Sequence, residues 1–277
     1  MRPESGDPLE SGGPPKGSQP PEGSRPLESS HPSEGSRPHG VEGEQQVGRW
    51  VRRMFDGVAP RYDLLNHVLS GNMDKLWRAR TVRRLSPQIT APGAVVVDLC
   101  CGSGDLMLSL AKRRGATVYG SDFCHPMLIE AARKAAARSA ATPLFEADAM
   151  NLPLASSSAD VLTVAFGFRN LANYEKGLRE MYRVLKPGGT AAILEFSTPP
   201  NRAFRGVYDF YSLRVLPKIG AMLSGEGAAD AYRYLPESVR RFPDANSLAL
   251  LMRRCGFQDV RFHRMTFGIV ALHLGVK

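Results

Sequence analysis

From Ala94 onward, short apolar runs alternate with segments of helical spacing, and this alternation restricts the fold more than any other feature of the sequence. The near-continuous apolar run 94–100 is typical of a parallel strand that is buried on both faces. Further strands are expected at 117–122, 143–147, 160–166, 190–196, 258–265 and 268–276. Strands that alternate with helices predict an α/β, doubly wound sheet. We therefore expect a seven-stranded, mostly parallel sheet with helices on both faces.

The first part of the chain differs in composition from the rest. Residues 1–43 contain no Phe, Trp or Tyr and are rich in Pro, Gly, Ser and Glu. Such a segment buries too little apolar surface to offset the entropy lost on ordering, so we expect a disordered low-complexity tail. Residues 44–277 are expected to form one domain, with N-terminal helices in 44–90 and a substrate-side insertion in 198–245.

Charge and cysteine content limit the class of protein. Residues 1–50 carry a net charge of −3, so residues 51–277 carry +12. This favours an anionic partner such as nucleic acid, a membrane surface or a phosphorylated metabolite, although solvated surface charge explains it equally. The chain has no apolar window long enough to span a membrane and no signal sequence. Its four cysteines form no C-x-x-C pair, and we expect a cytoplasmic protein without a metal.

The segment after the first predicted strand is a candidate ligand loop. Residues 98–105 read Asp-Leu-Cys-Cys-Gly-Ser-Gly-Asp, with Gly102 and Gly104 where a helix begins. In open α/β sheets, ligands bind in the crevice at the carboxyl ends of the strands. Glycines there allow a ligand to approach the backbone, although an ordinary tight turn would also use them. A G-x-G-x-x-G dinucleotide fingerprint is absent.

Three acids follow successive strands. Asp98 ends the first, Asp122 ends the second 24 residues later, and Asp148, followed by Ala149, comes after the third. A carboxylate at the second position can accept hydrogen bonds from both ribose hydroxyls, whereas a helix N-cap is the alternative role. Asp148 alone could equally be a loop acid. The pattern D-x-x-x-G-x-G resembles the first motif of class I S-adenosylmethionine-dependent methyltransferases, with Cys100 where another glycine is frequent.

Longer motifs carry a more specific resemblance. They are 55–66 (Phe-Asp-Gly-Val-Ala-Pro-Arg-Tyr-Asp-Leu-Leu-Asn), 166–170 (Phe-Gly-Phe-Arg-Asn) and 183–189 (Arg-Val-Leu-Lys-Pro-Gly-Gly). From about residue 50 to 277 the chain resembles the UbiE/MenG quinone C-methyltransferases, which have a Rossmann-like class I fold. It departs from their pattern at Leu65, Asp74 and Gly71-Asn72. The resemblance implies S-adenosyl-L-methionine as cofactor. It implies a cofactor site formed by Asp98, Gly102, Ser103, Gly104, Asp122, Asp148 and Ala149.

The resemblance also implies a reaction. A ring carbon of a demethylmenaquinol would be methylated, giving menaquinol and S-adenosyl-L-homocysteine in the last step of menaquinone biosynthesis. Methylation of a benzoquinol in ubiquinone biosynthesis stays open. The carbon nucleophile must be electron-rich, so the acceptor must be the reduced quinol. Phenolic hydroxyls titrate near ~10 in water, so the site must stabilise an oxyanion or supply a base.

Three residues are candidates for that catalytic work. Arg169 presents a permanently charged fork of donors to an oxyanion, and a water held by Arg169 and Asn170 would take the proton. Tyr62 would orient the hydroxyl. A salt bridge or cofactor contact is the alternative for Arg169, and core packing is the alternative for Tyr62. Three histidines could serve as bases or have structural roles: His67, His263 and His273.

The expected partner is a lipid quinol. The apolar segment 207–223 could line a channel for the isoprenoid tail and lie at a membrane interface, or it could be a lid helix packed on the core. We expect a transient peripheral contact at the inner face of the membrane, and homodimerisation is left open. Nucleic acid is not expected as a substrate, because the fourth strand is not followed by an Asn/Asp-Pro-Pro-aromatic loop and no Pro-Cys dipeptide occurs. The Arg169-Asn170 loop argues against a module that only binds the cofactor.

Overall fold

The predicted strands form one sheet in the computed structural model of the chain, which describes residues 35–36, 38, 40–58, 67, 70–113, 115–211, 214 and 229–277. The strands are β1 (Val95–Leu99), β2 (Thr117–Asp122), β3 (Leu144–Glu146), β4 (Ala159–Ala165), β5 (Leu185–Phe196), β6 (Gln258–Met265) and β7 (Val270–Val276). Their order across the sheet is β3-β2-β1-β4-β5-β7-β6. β7 runs antiparallel to both of its neighbours, whereas the pairs among β1 to β5 are parallel. The prediction of a seven-stranded, mostly parallel sheet is confirmed.

Helices cover both faces of this sheet. Those whose bounds the structure gives are α1 (Glu44–Val58), α2 (Met73–Arg84), α3 (Ser86–Ile89), α4 (Asp105–Ala111), α5 (His125–Ala137), α6 (Tyr174–Val184), α7 (Arg202–Phe210), α8 (Ala229–Arg241) and α9 (Ala245–Arg254). Adjacent strand residues serve opposite faces, as the two-residue period of a strand requires. Val96 belongs to the core under α2 to α5, and Val97 to the core under α6 and α9.

The connections agree with the local sequence signals. Gly71 and Asn72 have φ values of 57° and 62°, and α2 begins immediately after them. Asn173 caps α6 by accepting a hydrogen bond from the Lys176 N–H at 2.9 Å. The chain reverses between β6 and β7 in a short turn at Thr266–Gly268. None of the helices among the described residues combines the length and apolar character needed to cross a bilayer.

Two predictions lie largely outside the described residues. The disorder expected for 1–43 stays a prediction, although Ser36 is described, is buried, and donates its N–H to Leu171 O at 2.7 Å. The insertion expected at 198–245 contains α7 and α8, and the greater part of segment 207–223 is not described. Its roles as a tail channel or a lid therefore stay open.

Candidate active site

The loop after β1 adopts a backbone that favours glycine. Cys100, Gly102 and Gly104 have φ values of 49°, 55° and 85°, all in the left-handed region. The chain thus places a cysteine in a conformation that usually takes glycine. The Cys100 side chain fits because Gly167 has no side chain: a Cβ atom on Gly167 would lie 2.4 Å from the Cys100 Cβ. The loop after β4 is therefore packed tightly against the loop after β1.

Asp98 supports this loop from behind. Its carboxylate is buried and accepts a hydrogen bond from the Thr163 hydroxyl on β4 at 2.5 Å. Burial raises the pKa of Asp98 to about 7, although hydrogen bonds from Thr163 and the Met107 N–H oppose the shift. Asp98 does not line the pocket described below. It connects β1, β4 and the first turn of α4 and thereby holds the loop in shape.

Asp122 joins the loop to the second strand. One carboxylate oxygen accepts the Gly102 N–H at 2.8 Å, and the other accepts the Cys124 N–H at 2.9 Å. Burial raises the pKa of Asp122 to about 6, against the effect of these backbone donors. A carboxylate has about four acceptor positions, so it can accept further hydrogen bonds. Cys124, not Asp122, is the N-cap residue of α5.

An open pocket lies at the carboxyl ends of β1, β2, β3 and β4, and its empty space, counted with the adjoining solvent, is about 620 Å³. Its lining residues are Gly48, Phe55, Cys100, Gly102, Asp122, Phe123, Met127, Asp148, Met150, Phe166, Gly167, Asn170, Leu171 and Ala172. The apolar walls include Phe123, Met127 and Met150, which suit a flat heterocycle. Polar groups are few, and they include the carboxylates of Asp122 and Asp148. The pocket therefore unites residues predicted for the cofactor with a residue predicted for the acceptor, Asn170.

The Arg169 side chain lies behind the loop that follows β4. Its guanidinium pairs with Glu195 at 3.1 Å, donates to the Phe166 carbonyl oxygen, and lies over the Phe196 ring. Arg169 is 5% exposed and Glu195 is 1% exposed. Glu195 also accepts the Arg169 N–H at 3.2 Å and the Phe196 N–H at 2.9 Å. The salt bridge considered as an alternative for Arg169 is thus present, and Arg169 does not line the pocket.

Asn170, in contrast, lines the pocket and is held by α8. The Tyr234 hydroxyl donates to Asn170 Oδ1 at 3.1 Å, which leaves the amide nitrogen as the donor group. Tyr234 is buried, contacts the Trp50 ring at 5.1 Å, and shares a 2.5 Å hydrogen bond with the Ser36 hydroxyl. The insertion and the N-terminal segment therefore both contribute to the placement of Asn170.

The remaining predicted residues lie beside the pocket or outside the described residues. Ser103 accepts a hydrogen bond from Lys134 Nζ at 3.0 Å. Gly104 is the N-cap residue of α4, and a Cβ there would lie 2.9 Å from Met107 Cε. Ala149 is buried without lining the pocket. Tyr62 is outside the described residues, so its predicted role is not tested.

The three histidines lie away from the pocket lining. His67 pairs with Asp74 at 2.8 Å. His273 is buried with its Nε2 at 2.8 Å from Ala245 O, and burial lowers its pKa to about 4. Burial and the nearby Arg84 and Arg261 lower the pKa of His263 as well. These contacts favour the structural roles over that of a base.

One group among the described residues could bring three metal-ligating side chains together. His67, Asp74 and Asp105 have ligand atoms within 4.8 Å of one another. Both carboxylates already hold cations, however, since Arg78 pairs with Asp74 at 2.5 Å and Lys134 pairs with Asp105 at 2.5 Å. A metal ion would have to displace these cations, so the group fits an ion-pair network better than a metal site.

The predictions did not include several residues of the site. Phe123, Met127 and Met150 form pocket walls, and their types alone carry no signal that separates them from core residues. Glu195 was detectable in principle, because an acid within the apolar run of β5 must be paired when it is buried. Its partner could not be read from the pattern.

Comparisons with known proteins agree with this geometry. The model of the ubiE/COQ5 methyltransferase family matches residues 41–277. The demethylmenaquinone methyltransferase of Thermus thermophilus is 49% identical over 223 residues, which cover 80% of this chain and 99% of that protein. A ubiquinone/menaquinone biosynthesis C-methyltransferase of Geotalea daltonii is 41% identical over 236 residues, covering 84% of this chain and 98% of that protein.

Solved structures confirm the predicted fold. A S-adenosylmethionine-dependent methyltransferase of Thermotoga maritima, described as a possible histamine N-methyltransferase, has a TM-score of 0.56 at 18% identity and covers 81% of this chain and 98% of its own. A second such methyltransferase, from Methanococcus maripaludis, has a TM-score of 0.54 at 18% identity, with coverages of 80% and 93%. At such identities the likeness concerns the fold alone. The family match over 41–277, together with the cofactor loop, establishes that this chain belongs to the ubiE/COQ5 methyltransferase family.

Proposed function

We propose that this chain methylates a ring carbon of a demethylmenaquinol with S-adenosyl-L-methionine, giving menaquinol and S-adenosyl-L-homocysteine. The observation that carries the proposal is the single pocket that unites Gly102, Asp122 and Asp148 with Asn170. Relatives that are named demethylmenaquinone methyltransferases support the naphthoquinol acceptor. Relatives named for ubiquinone as well as menaquinone biosynthesis keep a benzoquinol acceptor as the alternative.

The residues of the pocket fit the cofactor. Asp122 has acceptor positions left for ribose hydroxyls after it accepts two backbone N–H groups. Phe123, Met127 and Met150 offer apolar and polarisable surface to an adenine ring. Gly102 and its left-handed backbone leave space for close approach. When bound, the sulfonium supplies an electrophilic methyl group.

The acceptor side must stabilise the charge of an ionised ring hydroxyl. Asn170 lines the pocket, and we assign its amide nitrogen as a donor to the ring oxygen or to a water that takes the proton. Arg169 is predicted to stabilise the same oxyanion. Its contacts with Glu195 and Phe166 favour an indirect role, in which it holds the backbone of the loop that carries Asn170. We therefore treat Arg169 as a positioning residue and leave Tyr62 as a predicted contact.

Methyl transfer to a short-chain demethylmenaquinol, kept reduced, tests the proposal. We expect a methylated product by mass spectrometry with the quinol and none with the oxidised quinone, because a quinone ring is an electrophile. Asn170→Ala should lower kcat by roughly a hundredfold, the scale of one lost oxyanion donor. Asn246→Ala, an exposed change on α9, is the matched control and should leave kcat unchanged.

The outcomes separate the alternatives. Absence of product from the naphthoquinol, with turnover of a demethylated benzoquinol, would assign the ubiquinone-type acceptor. Absence of product from both quinols, although the cofactor binds, would refute quinol methylation. Methylation of RNA or DNA is not expected, since the loop after β4 reads Phe166-Gly-Phe-Arg-Asn170 and carries no Asn/Asp-Pro-Pro motif.

A further inference from the structure

We propose that α7 and the turn between β6 and β7 form a surface that docks on an anionic lipid bilayer. The inference deepens the proposed function and rests on it only for the lipid nature of the acceptor. The surface, here named the aromatic surface, is defined by Phe204, Phe210, Tyr211, Phe267, Arg202 and Arg264.

The exposure of the aromatic rings sets this surface apart. Phe267 is 78% exposed, Phe210 is 59% exposed and Tyr211 is 36% exposed. Within the described part of the chain, these are the exposed large aromatic side chains, and the other exposed large hydrophobic residues are aliphatic. Single exposed apolar residues are ordinary, whereas a group of aromatic rings on neighbouring segments marks an interaction surface.

The conformation of the turn adds a second observation. Thr266 and Phe267 have φ values of 48° and 54°, a region that turns usually fill with glycine or asparagine. The Phe267 ring contacts the partly buried Phe204 ring, with 5.1 Å between the ring centroids, and still has most of its surface in solvent. An aromatic residue that strains its backbone and stays in solvent does not improve the core. Its conformational cost therefore indicates a role at the surface.

The two segments lie against each other. A Cβ on Gly268 would be 2.6 Å from Pro200 Cδ, so the turn packs on the chain that leads into α7. Arg205 on α7 donates to the Pro199 carbonyl oxygen at 3.0 Å and 2.9 Å, which ties the helix to the same chain.

The aromatic surface lies at the edge of the sheet where the pocket opens. β5 is parallel to β4, and Val270 pairs with Phe196 at the carboxyl end of β5. The indole N–H of Trp77 donates to Thr266 Oγ1 at 2.9 Å, and the Trp77 ring packs on Phe166 at 5.8 Å. Phe166 is part of the pocket wall, so contacts from Thr266 to Trp77 and from Trp77 to Phe166 connect the turn with the pocket.

The charges around the rings match an anionic bilayer. Arg202 on α7 and Arg264 on β6 are exposed, Arg264 with its guanidinium over the Phe262 ring at 4.8 Å, and the chain from residue 51 onward carries a net charge of +12. Exposed aromatic rings and arginines on the same two segments suit the boundary between headgroups and acyl chains. Anionic headgroups attract each nearby arginine. A prenylated acceptor resides in that bilayer, so docking here would bring the pocket to it.

Co-sedimentation with phosphatidylcholine vesicles, with and without phosphatidylglycerol, tests the surface without any substrate. Wild type should bind the anionic vesicles, and Phe267→Asn should bind roughly tenfold more weakly because one buried ring is lost. Arg264→Gln should bind several-fold more weakly on anionic vesicles only. Leu250→Ser, which removes a 56% exposed hydrophobic side chain from α9, should bind like wild type. Phe267→Asn keeps the fold, because asparagine tolerates the backbone, and thermal unfolding verifies this.

The results that would contradict the docking proposal can be told apart. Wild type that stays in solution with anionic vesicles would overturn the proposal, as would equal binding by Phe267→Asn and wild type. Binding that ignores phosphatidylglycerol would refute the part assigned to the arginines. Self-association that Phe267→Asn abolishes would assign the surface to a second copy of the chain instead. Turnover of a short-chain quinol without vesicle binding would leave the proposed function intact, and vesicle binding without turnover would leave the surface intact.

Discussion

The buried pair of Arg169 and Glu195 supports the sharpest stability prediction. Both side chains are almost fully buried, at 5% and 1% exposure, and their charged atoms are 3.1 Å apart. Glu195→Gln removes the negative partner and leaves the guanidinium as a buried cation. Breaking a buried ion pair costs about 3–5 kcal/mol. Both carboxylate oxygens also accept backbone N–H groups, from Arg169 and Phe196, and an amide can accept only one of them. We therefore expect a loss of about 4 kcal/mol.

The assay is chemical unfolding in urea, supported by thermal melting. For a domain of this size, about 4 kcal/mol corresponds to a fall in Tm of roughly 8–16 °C. The matched control is Glu175→Gln, which breaks the exposed pair of Glu175 and Arg179 on one face of α6. Exposed pairs of this kind contribute little, so this variant should melt close to wild type.

A double-mutant cycle distinguishes the pair from general damage to the core. Arg169→Met alone leaves the Glu195 carboxylate buried without its cation, whereas the double variant removes both charges. The double variant should therefore lose less stability than the sum of the single variants, with a coupling of about 1–3 kcal/mol. The reasoning is wrong if Glu195→Gln costs no more than Glu175→Gln, or if the two single losses add.

Three further predictions concern the loop and its acids. Burial raises the pKa of Asp122 to about 6, and the protonated carboxyl accepts fewer hydrogen bonds, so cofactor affinity should fall as the pH drops below about 6. Calorimetry at several pH values checks this, and Asp122→Asn should bind roughly tenfold more weakly without that pH dependence. Burial raises the pKa of Asp98 from 3.8 to about 7, so between these values the folded state holds a proton that the unfolded chain releases. The free energy of unfolding should therefore fall as the pH rises through this range, by about 1.4 kcal/mol for each unit of pKa difference. Urea unfolding at several pH values measures this, and the assignment to Asp98 is contradicted if Asp98→Asn shows the same pH dependence as wild type. Gly167→Ala should cost about 1–3 kcal/mol because the new Cβ meets Cys100, and adding Cys100→Gly should restore most of the melting temperature.

Much of the fold follows from local pattern. The alternation of Val96 and Val97 between the two cores repeats the two-residue period visible in the sequence. The strands predicted at 117–122 and 258–265 have those bounds in the structure. Gly102 and Gly104 lie where the loop needs positive φ. Whether a residue tolerates positive φ depends on its own side chain, so the positions of these glycines can be read from the sequence. Such features depend on neighbours within a few residues, so the sequence displays them directly.

The site was only partly predictable for the same reason. Asp122, Asp148 and Asn170 were expected near the ligand and line the pocket, because the carboxyl ends of parallel strands meet at one edge. Asp98 and Ser103 were grouped with them; their side chains bond to Thr163 and Lys134, and their predicted roles at the cofactor stay predictions. One-residue steps along a strand end reverse the direction of a side chain. Sequence spacing alone does not say which of two adjacent residues reaches the pocket.

The sequence by itself determined a doubly wound sheet, a glycine-containing loop after its first strand and acids after the next two, since these depend on period, backbone sterics and strand polarity. Only the tertiary structure decided which partners hold Arg169 and Asn170. Glu195 lies 26 residues from Arg169, and Tyr234 lies 64 residues from Asn170, yet each is the hydrogen-bond partner of its counterpart. These partners meet through the pairing of β4 with β5 and the packing of α8 on the loop. A buried charge must take whichever opposite charge the fold brings near it, and no spacing along the chain encodes that choice.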